Sequence, residues 1–283
     1  MKIVFLVAAL FSNCESVRRN SNKAGLILLH GLGVSMGPDE LCSAFARGGL
    51  GLSRDTIVRC PKAERRPVGI LPPTLVPGLQ FARSWFNFWL MPGPSVLSSR
   101  PGEDRDELMA ALRVVEGEIE YLMSLGVPSE NIVVSGLSQG GVLTIWTAMH
   151  TKYRLGGFVP IVTWLPLAKV EPPRNLPFRP VNINTPILHM NGMADPIVPL
   201  WPAGKVSERL MKEVFTDYTF KAIPFTTHVT TAPNPLTMPI LKKWLQRNTN
   251  LKFKGGFSGV SGILGGVLGG GGGFSNLFGG WGR

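Results

Sequence analysis

Short apolar runs alternate along the middle of the chain with longer segments of helical periodicity, and this alternation limits the possible folds most strongly. The runs are rich in aliphatic and β-branched side chains and occupy positions 24–29, 56–60, 131–137, 157–163, 186–190 and 218–223. Apolar residues recur every three or four positions over 103–125, 139–150, 204–214 and 235–246. Continuous apolar strands are typical of a parallel sheet that helices cover on both faces. The pattern therefore predicts an α/β fold with a mostly parallel central sheet flanked by helices.

One predicted strand–helix junction carries a motif with chemical meaning. The pattern G-x-S-x-G occurs as GLSQG around Ser138, where the strand 131–137 ends and the helix 139–150 begins. The pattern alone is weak, but this position is the one that a nucleophile elbow requires. The sharp turn lifts the serine hydroxyl above the sheet edge, and the glycines let strand and helix pack closely. The junction predicts the α/β-hydrolase fold, with Ser138 as the nucleophile.

A serine hydroxyl needs a base, and the base needs an acid that orients it. In this fold the three residues follow the chain order serine, acid, histidine. His228 follows the last predicted strand and fits that order best, whereas His189 lies inside a predicted strand and is expected to pack in the core. Asp195 follows the strand 186–190 and is the predicted acid, because functional side chains of such sheets lie at the strand carboxyl ends. The alternative for Asp195 is a turn-capping role before Pro196.

The oxyanion of a tetrahedral intermediate requires preorganised N–H donors. The backbone N–H of Gln139, next after the nucleophile, is the first predicted donor. The second is the backbone N–H of Leu32, in the glycine-containing loop that follows the first predicted strand.

Residues 61–101 form a long segment rich in proline and aromatic residues. Segments of this kind inside a compact domain are often lids or binding loops. Its aromatic side chains are expected to line an acyl-chain site or, alternatively, to cover the edge of the core. The expected substrate-binding residues are Trp85, Phe86, Trp164 and Leu165.

Both ends of the chain differ from the middle. Residues 1–16 have a short basic start and an apolar stretch over 3–11, which is typical of a signal peptide and too short to span a membrane. This predicts a secreted or endomembrane-lumen protein with a hydrolase domain over 17–250; an uncleaved surface anchor or a mispredicted gene start are the alternatives. Residues 251–283 form a glycine-rich tail that is expected to be disordered, or to present an apolar face to lipid.

The formal net charge of +11 and the isoelectric point near 10.0 favour anionic partners. A membrane surface is preferred over nucleic acid, because zinc-finger spacing, an RNP-like motif and dense Lys/Arg runs are missing from the sequence. A merely basic soluble surface is equally compatible. The three cysteines include no CxxC pair, which argues against a cysteine zinc site, and the pairing of Cys42 with Cys60 stays open.

Six blocks occur in the order of one known family. They are HGLG at 30–33, CP at 60–61, SWF at 84–86, GLSQGG at 136–141, WLP at 164–166 and DPIVP at 195–199. Together they resemble the acyl-protein thioesterases, also called the lysophospholipase/carboxylesterase family, over residues 24–245. The resemblance implies hydrolysis of S-acyl groups from protein cysteines, or of lysophospholipid and small carboxyl esters, without a metal or organic cofactor. It also implies the roles given above to Ser138, Asp195, His228, Leu32 and Gln139.

Three positions depart from the family pattern. Val34 stands where the family usually has aspartate, Asn87 replaces the aspartate of SWFD, and Asn191 replaces the histidine of HGxxDP. These changes concern loop geometry and substrate preference more than the triad. They also motivate the alternative of an inactive hydrolase-like binder of lipid or protein. Family members are typically cytosolic, so a cytoplasmic location is the alternative to secretion.

Overall fold

The computed structural model describes residues 23–33, 50–68, 81–87, 103–231 and 234–253. The strands are β1 (Ala24–Leu29), β2 (Thr56–Arg59), β3 (Arg65–Pro67), β4 (Phe81–Arg83), β5 (Ile132–Leu137), β6 (Gly157–Ile161), β7 (Ile187–Gly192) and β8 (Tyr218–Ile223). The α-helices of these ranges are α1 (Arg105–Ser124), α2 (Gln139–His150), α3 (Lys205–Lys212) and α4 (Thr237–Asn248). Among them, none combines the length and the apolarity needed to cross a bilayer.

Six of these strands form the central sheet in the order β2-β1-β5-β6-β7-β8. Every neighbouring pair is parallel, with Ile27 of β1 lying between Arg59 and Val134. The predicted mostly parallel sheet is confirmed. Because all six strands run the same way, their carboxyl ends lie along one edge.

The sheet is buried on both faces, as its continuous apolar strands require. Successive side chains of β1 point to opposite faces, so Ile27 and Leu29 join one core cluster while Leu26 and Leu28 join the other. The first cluster includes the apolar faces of α1 and α2, and the second includes that of α4. The flanking helices therefore anchor the sheet from both sides.

Helix α1 begins and packs as its sequence dictates. Its N-cap Asp104 accepts hydrogen bonds from the N–H groups of Asp106 and Glu107, at 2.8 and 3.2 Å. Its buried side chains recur at spacings of three and four: Leu108, Ala111, Leu112, Val115, Ile119 and Leu122. The helix starts two residues after the predicted start at 103, so Glu103 precedes it and accepts from the Trp164 indole N–H and the Leu167 N–H.

Most element boundaries shift by a few residues from prediction, and two of these shifts have clear local reasons. Strand β6 ends at Ile161 rather than at 163, because Val162 has φ 47° and leaves the β region. Strand β5 starts at Ile132, because Asn131 belongs to a 3₁₀ turn over Ser129–Asn131.

The segment predicted as a lid or binding loop contains regular structure. Strands β3 and β4 pair antiparallel, with Arg66 opposite Ala82. The following residues Ser84, Trp85 and Phe86 are buried. The described part of residues 61–101 therefore packs on the core, which favours the alternative that its aromatic residues cover the core edge.

The folded part reaches beyond the predicted boundary at residue 250. Leu251 is buried, Lys252 accepts a backbone hydrogen bond from Ser53, and Phe253 bridges to Leu52. Cys60, directly after β2, is disulfide-bonded to a partner outside the described residues. The predicted signal peptide, Val34 and residues 254–283 of the tail also lie outside them.

Candidate active site

Ser138 occupies the turn between β5 and α2, with φ 54° and ψ −115°. A positive φ is uncommon for a residue with a Cβ and costs energy, so neighbouring contacts have to maintain it. The Ser138 N–H donates to the Ile161 carbonyl at 2.9 Å, and its own carbonyl accepts from the Thr163 hydroxyl at 2.8 Å and the Val142 N–H at 3.0 Å. The predicted nucleophile thus lies in a strained, firmly held strand-to-helix turn.

Gly140 lets α2 approach the end of β1. A Cβ at this position would lie 2.2 Å from the Leu29 carbonyl oxygen and 2.6 Å from that of His30. Both obstacles are backbone atoms, so neither can rotate away. The close approach places the start of α2 beside the loop that contains Leu32.

We expect Gly140→Ala to destabilise the protein by about 3 kcal/mol, because overpacking against backbone forces helix and strand apart. Gly117→Ala is the matched control, since it also adds a methyl group within a helix but meets nothing within 4 Å. The control should gain up to about 1 kcal/mol from helix propensity. Urea unfolding of the two variants measures both effects; a stability loss of the same size in both would contradict the packing argument.

Asp195 and His228 lie in the loops that follow β7 and β8. These loops are joined by the Met193 N–H, which donates to the Ile223 carbonyl at 2.9 Å, and by the Ala194 N–H, which donates to the Thr226 carbonyl at 3.0 Å. The His228 Nδ1 lies 2.8 Å from Asp195 Oδ2. The structure therefore brings the predicted acid and base into direct contact.

The Asp195 carboxylate divides its two oxygens between two tasks. Oδ1 accepts from the N–H groups of Ile197 and Val198, at 2.8 and 2.9 Å, while Oδ2 faces His228. The aspartate side chain is fully buried, and the histidine side chain is 12% exposed. Because a carboxylate accepts, Nδ1 of His228 is the donor of this bond, and in the neutral tautomer that donates from Nδ1 the lone pair lies on Nε2. One oxygen of Asp195 therefore makes the turn-capping contacts, and the other faces the predicted base.

Ser138, Asp195 and His228 all lie at the carboxyl edge of the sheet. Ser138 follows β5, and the other two follow β7 and β8, with only β6 between the two groups. This edge is where parallel α/β sheets carry their functional groups.

The two predicted oxyanion donors are anchored to one short stretch, Arg83–Phe86. Gln139 is the first residue of α2, so its N–H belongs to the first turn, which has no intrahelical acceptor. Its side-chain amide accepts from the Trp85 N–H at 3.0 Å and donates to the Ser84 hydroxyl and the Phe86 carbonyl. Next to Leu32, Gly33 (φ 69°) donates its N–H to the Arg83 carbonyl at 3.0 Å. Both backbone segments are therefore held by hydrogen bonds to the same stretch of chain.

Residues 13–248 match the family model described as phospholipase/carboxylesterase. The chain belongs to this family. It is 30% identical over 205 residues to a probable carboxylesterase of Oryza sativa subsp. japonica, a match that covers 72% of this chain and 70% of the relative. It is 29% identical over 151 residues to acyl-protein thioesterase 1 of Kluyveromyces lactis, covering 52% of this chain and 62% of that protein. The crystal structure of Arabidopsis thaliana SOBER1 superposes with a TM-score of 0.62 at 25% identity, covering 80% of this chain and 99% of that one.

As a member of the phospholipase/carboxylesterase family, the chain is a hydrolase of the α/β-hydrolase fold. The predicted fold class and enzyme class are confirmed. Within the described ranges, no three His, Cys, Asp or Glu side chains come close enough together to hold a metal ion.

The four expected substrate-binding residues of this family member are all buried. Trp85 donates its indole N–H to the His30 carbonyl at 2.8 Å, and Trp164 donates its own to Glu103 at 2.5 Å. Phe86 is fully buried, and the N–H of Leu165 donates to the Ser207 hydroxyl at 2.7 Å. These residues fix the loops around the site, and their direct contact with substrate stays a prediction.

The other three histidines of the sequence, His30, His150 and His189, contact residues outside the proposed triad. His30 accepts at Nε2 from the Ala63 N–H and lies 2.7 Å from the Gly31 carbonyl at Nδ1, and burial lowers its pKa. His150 stacks on Trp146 and faces Glu171, and burial lowers its pKa as well. His189 is fully buried, as predicted, and burial lowers its pKa to about 4.

Stability is expected to fall between pH 6.5 and pH 5 because of these buried histidines. A folded-state pKa below the unfolded value means that the unfolded chain binds the proton first, so stability is complete above about pH 6.5 and decreases as pH falls. Protonation at His189 alone lowers the free energy of unfolding by up to about 1.4 kcal/mol for each pH unit of acidification in this window. Glu171 and Glu208, whose pKa values are lowered, act only below about pH 4.5.

Urea unfolding at pH 7, 6 and 5 measures this dependence. His189→Gln removes the titrating ring and should flatten the slope, even though it lowers stability at every pH. An identical slope in the variant would show that His189 does not contribute.

Sequence reasoning missed two residues that hold the predicted nucleophile. Thr163 bonds the Ser138 carbonyl directly, and Asn191, noted only as a family departure, bonds Thr163. The one available signal was position, since both residues fall at the carboxyl end of a predicted strand. The other departure, Asn87, donates its backbone N–H to the Glu107 carboxylate.

Proposed function

We propose that this hydrolase cleaves fatty-acyl thioesters, such as S-acyl groups on protein cysteines, through a Ser138–His228–Asp195 triad and an acyl-enzyme. The observation that carries the proposal is the 2.8 Å contact of His228 with a fully buried Asp195, at the sheet edge where Ser138 occupies its strained turn. A buried carboxylate that fixes one imidazole nitrogen leaves the other nitrogen available as a base.

The reaction proceeds in two halves. In the first, His228 Nε2 takes the proton of the Ser138 hydroxyl while the Ser138 oxygen attacks the acyl carbonyl, and the backbone N–H groups of Leu32 and Gln139 stabilise the oxyanion. The carbon–sulfur bond then breaks, and the thiol leaves with the proton from His228. In the second half His228 deprotonates a water molecule, which attacks the acyl carbon; the bond from that carbon to the Ser138 oxygen breaks, His228 returns the proton to Ser138, and the fatty acid is released. Asp195 stays ionised and stabilises the imidazolium in both halves.

Exposed apolar side chains beside His228 support a substrate with an alkyl chain. Phe225, three residues before the base, is 90% exposed, and Met193, whose loop bonds to that of His228, is 55% exposed. Val229, next to the base, is also exposed. Water-exposed apolar groups clustered at a site favour an apolar ligand. The relatives named acyl-protein thioesterase point to the same substrate class.

Oxygen esters form the second candidate substrate class. The relative named a probable carboxylesterase is 30% identical, and the same triad chemistry cleaves either bond. Peripheral contact with an anionic membrane, suggested by the net charge of +11, is part of the proposal for lipid-linked substrates.

The deciding experiment compares a palmitoyl thioester with the oxygen ester of the same acyl chain, using the full-length protein and Ser138→Ala as the blank. A fluorophosphonate probe, with identification of the labelled residue, reports nucleophile reactivity independently of substrate. Preferential thioester cleavage with labelled Ser138 supports the proposal, and cleavage of the ester alone moves the substrate class to carboxyl esters. A protein that is folded, unlabelled and inactive on both would overturn the proposal in favour of an inactive binder.

A further inference from the structure

The end of β6 holds the backbone of Ser138 on both sides. The Ile161 carbonyl accepts from the Ser138 N–H at 2.9 Å, and the Thr163 hydroxyl donates to the Ser138 carbonyl at 2.8 Å. The position of the nucleophile therefore depends on the conformation of residues 161–163.

This short segment is itself strained. Val162 has φ 47°, a left-handed conformation that is a clear outlier for a β-branched residue. Its N–H donates to the Met190 carbonyl at 2.7 Å. Such a conformation persists only where surrounding contacts fix it from several directions.

The side chain of Asn191 supplies two of these contacts. Its Oδ1 accepts from the Thr163 N–H at 3.1 Å, and its Nδ2 donates to the Thr163 carbonyl at 3.1 Å. The ladder between β6 and β7 has Ile161 opposite Met190, so the amide continues the pairing of the two strands by one residue. Asn191 thereby replaces the backbone hydrogen bonds that the turn at Val162 interrupts.

The orientation of this amide follows from the backbone groups that it meets. A backbone N–H only donates and a backbone carbonyl only accepts, so the oxygen and nitrogen of Asn191 are unambiguous. The His189 Nε2 lies 3.0 Å from Asn191 Oδ1 and must therefore donate, which leaves Nδ1 to accept from the Tyr218 hydroxyl at 2.5 Å. The neutral ring that this requires agrees with the complete burial of His189.

The network is enclosed. Thr163, His189 and Asn191 have no exposed surface, and a Cβ on Gly204 would lie 2.9 Å from Asn191 Nδ2. Water has no room to replace a lost partner, so each bond has a single geometry.

We propose that Asn191 is a positioning residue for the nucleophile, acting through Thr163 and oriented by His189 and Tyr218. The proposal rests on the function proposed above, because it concerns the reactivity of Ser138. Because Thr163 lies between Asn191 and Ser138, Asn191 affects the position of the Ser138 hydroxyl and takes no part in the reaction of that hydroxyl.

Two variants interrupt the network at different points. Thr163→Val removes the hydroxyl that holds Ser138 but keeps the side-chain shape and the two backbone bonds to Asn191. Asn191→Asp keeps the accepting oxygen but loses the donor to the Thr163 carbonyl. Thr163→Ser retains the hydroxyl and serves as the conservative rescue. The matched control is Thr147→Val on α2, because Thr147 is equally buried and donates to a backbone carbonyl at 2.7 Å.

The measurements are the second-order rate of fluorophosphonate labelling of Ser138, kcat and KM on the preferred acyl substrate, and the melting temperature. We expect Thr163→Val and Asn191→Asp to slow labelling and lower kcat by about 10- to 100-fold, with KM changed less than about twofold, because a small displacement of a reacting group is costly. Thr163→Ser and Thr147→Val should label at nearly the wild-type rate, even if Thr147→Val melts at a lower temperature.

If Thr163→Val labels as fast as Thr147→Val at equal folded fraction, the positioning role is wrong while the proposed hydrolase function stands. If the folded wild-type protein is not labelled at all, both proposals fail together. Should Asn191→Asp not fold, Tyr218→Phe interrupts the same network by removing the hydroxyl that orients His189, and labelling at the wild-type rate in that variant would contradict the proposed role of Asn191.

Discussion

Replacing Ser138 with alanine is expected to reduce kcat on the preferred acyl substrate by about 10⁶-fold while leaving the protein folded. In the proposed mechanism the hydroxyl oxygen forms the bond to the acyl carbon, and alanine has no group that could replace it. The contacts that hold the turn use the N–H and carbonyl of Ser138, which alanine retains. Alanine also has the same Cβ, so the strain at φ 54° is unchanged. Activity assays and thermal unfolding of the same preparation measure both effects.

Ser135→Ala is a suitable control for this substitution. Ser135 lies on β5, three residues before Ser138, and its buried hydroxyl donates to the Val159 carbonyl at 3.0 Å. Its loss should cost about 1 kcal/mol of stability and leave kcat nearly unchanged. Substantial activity remaining in purified Ser138→Ala, after contaminating esterase is excluded, would assign the nucleophile to another residue.

Asp195→Asn is expected to lower kcat by about 10⁴-fold with little loss of structure. The amide oxygen of asparagine can still accept from the Ile197 and Val198 N–H groups, so the loop keeps its cap. Its NH₂ group then faces His228, and His228 Nδ1 must become an acceptor. The ring proton moves to Nε2, where the base needs a lone pair, and the imidazolium loses its counter-charge.

Asp104→Asn makes the same chemical change at a carboxylate that also accepts from two backbone N–H groups, but at the start of α1. It should leave kcat unchanged, since asparagine caps a helix about as well as aspartate. Steady-state kinetics and melting temperatures of both variants test the argument. An Asp195→Asn enzyme with kcat within tenfold of wild type would show that the carboxylate is not needed to set the histidine tautomer.

The central sheet and the three proposed triad positions follow from local features of the sequence. Apolar runs of strand length and the helical spacing of Leu108 to Leu122 are local patterns, and burial on both sheet faces produces them directly. Ser138 is marked by its glycine-flanked turn, and Asp195 and His228 by their order and by their positions after strands. These features need no knowledge of which strands are neighbours.

The support of the site depends on contacts between residues far apart in the chain, which periodicity does not reveal. The Gln139 side chain bonds residues more than fifty positions earlier, and Thr163 reaches Ser138 across 25 positions. The aromatic residues after β4 suggested a substrate pocket because sequence shows their hydrophobicity but not the surface that covers them. The left-handed turn at Val162 contradicts the preference of its side chain and results from tertiary contacts alone.

The stretch Arg83–Phe86 accepts a hydrogen bond from the Gly33 N–H and also bonds the side-chain amide of Gln139. The two proposed oxyanion donors, which belong to segments far apart in the chain, therefore share one support. We expect a displacement of the β3–β4 hairpin to alter both donors together, since the Asp195–His228 pair makes its contacts in the loops after β7 and β8. Substitutions in this hairpin are therefore expected to change the stabilisation of the oxyanion without changing the proton transfer by His228.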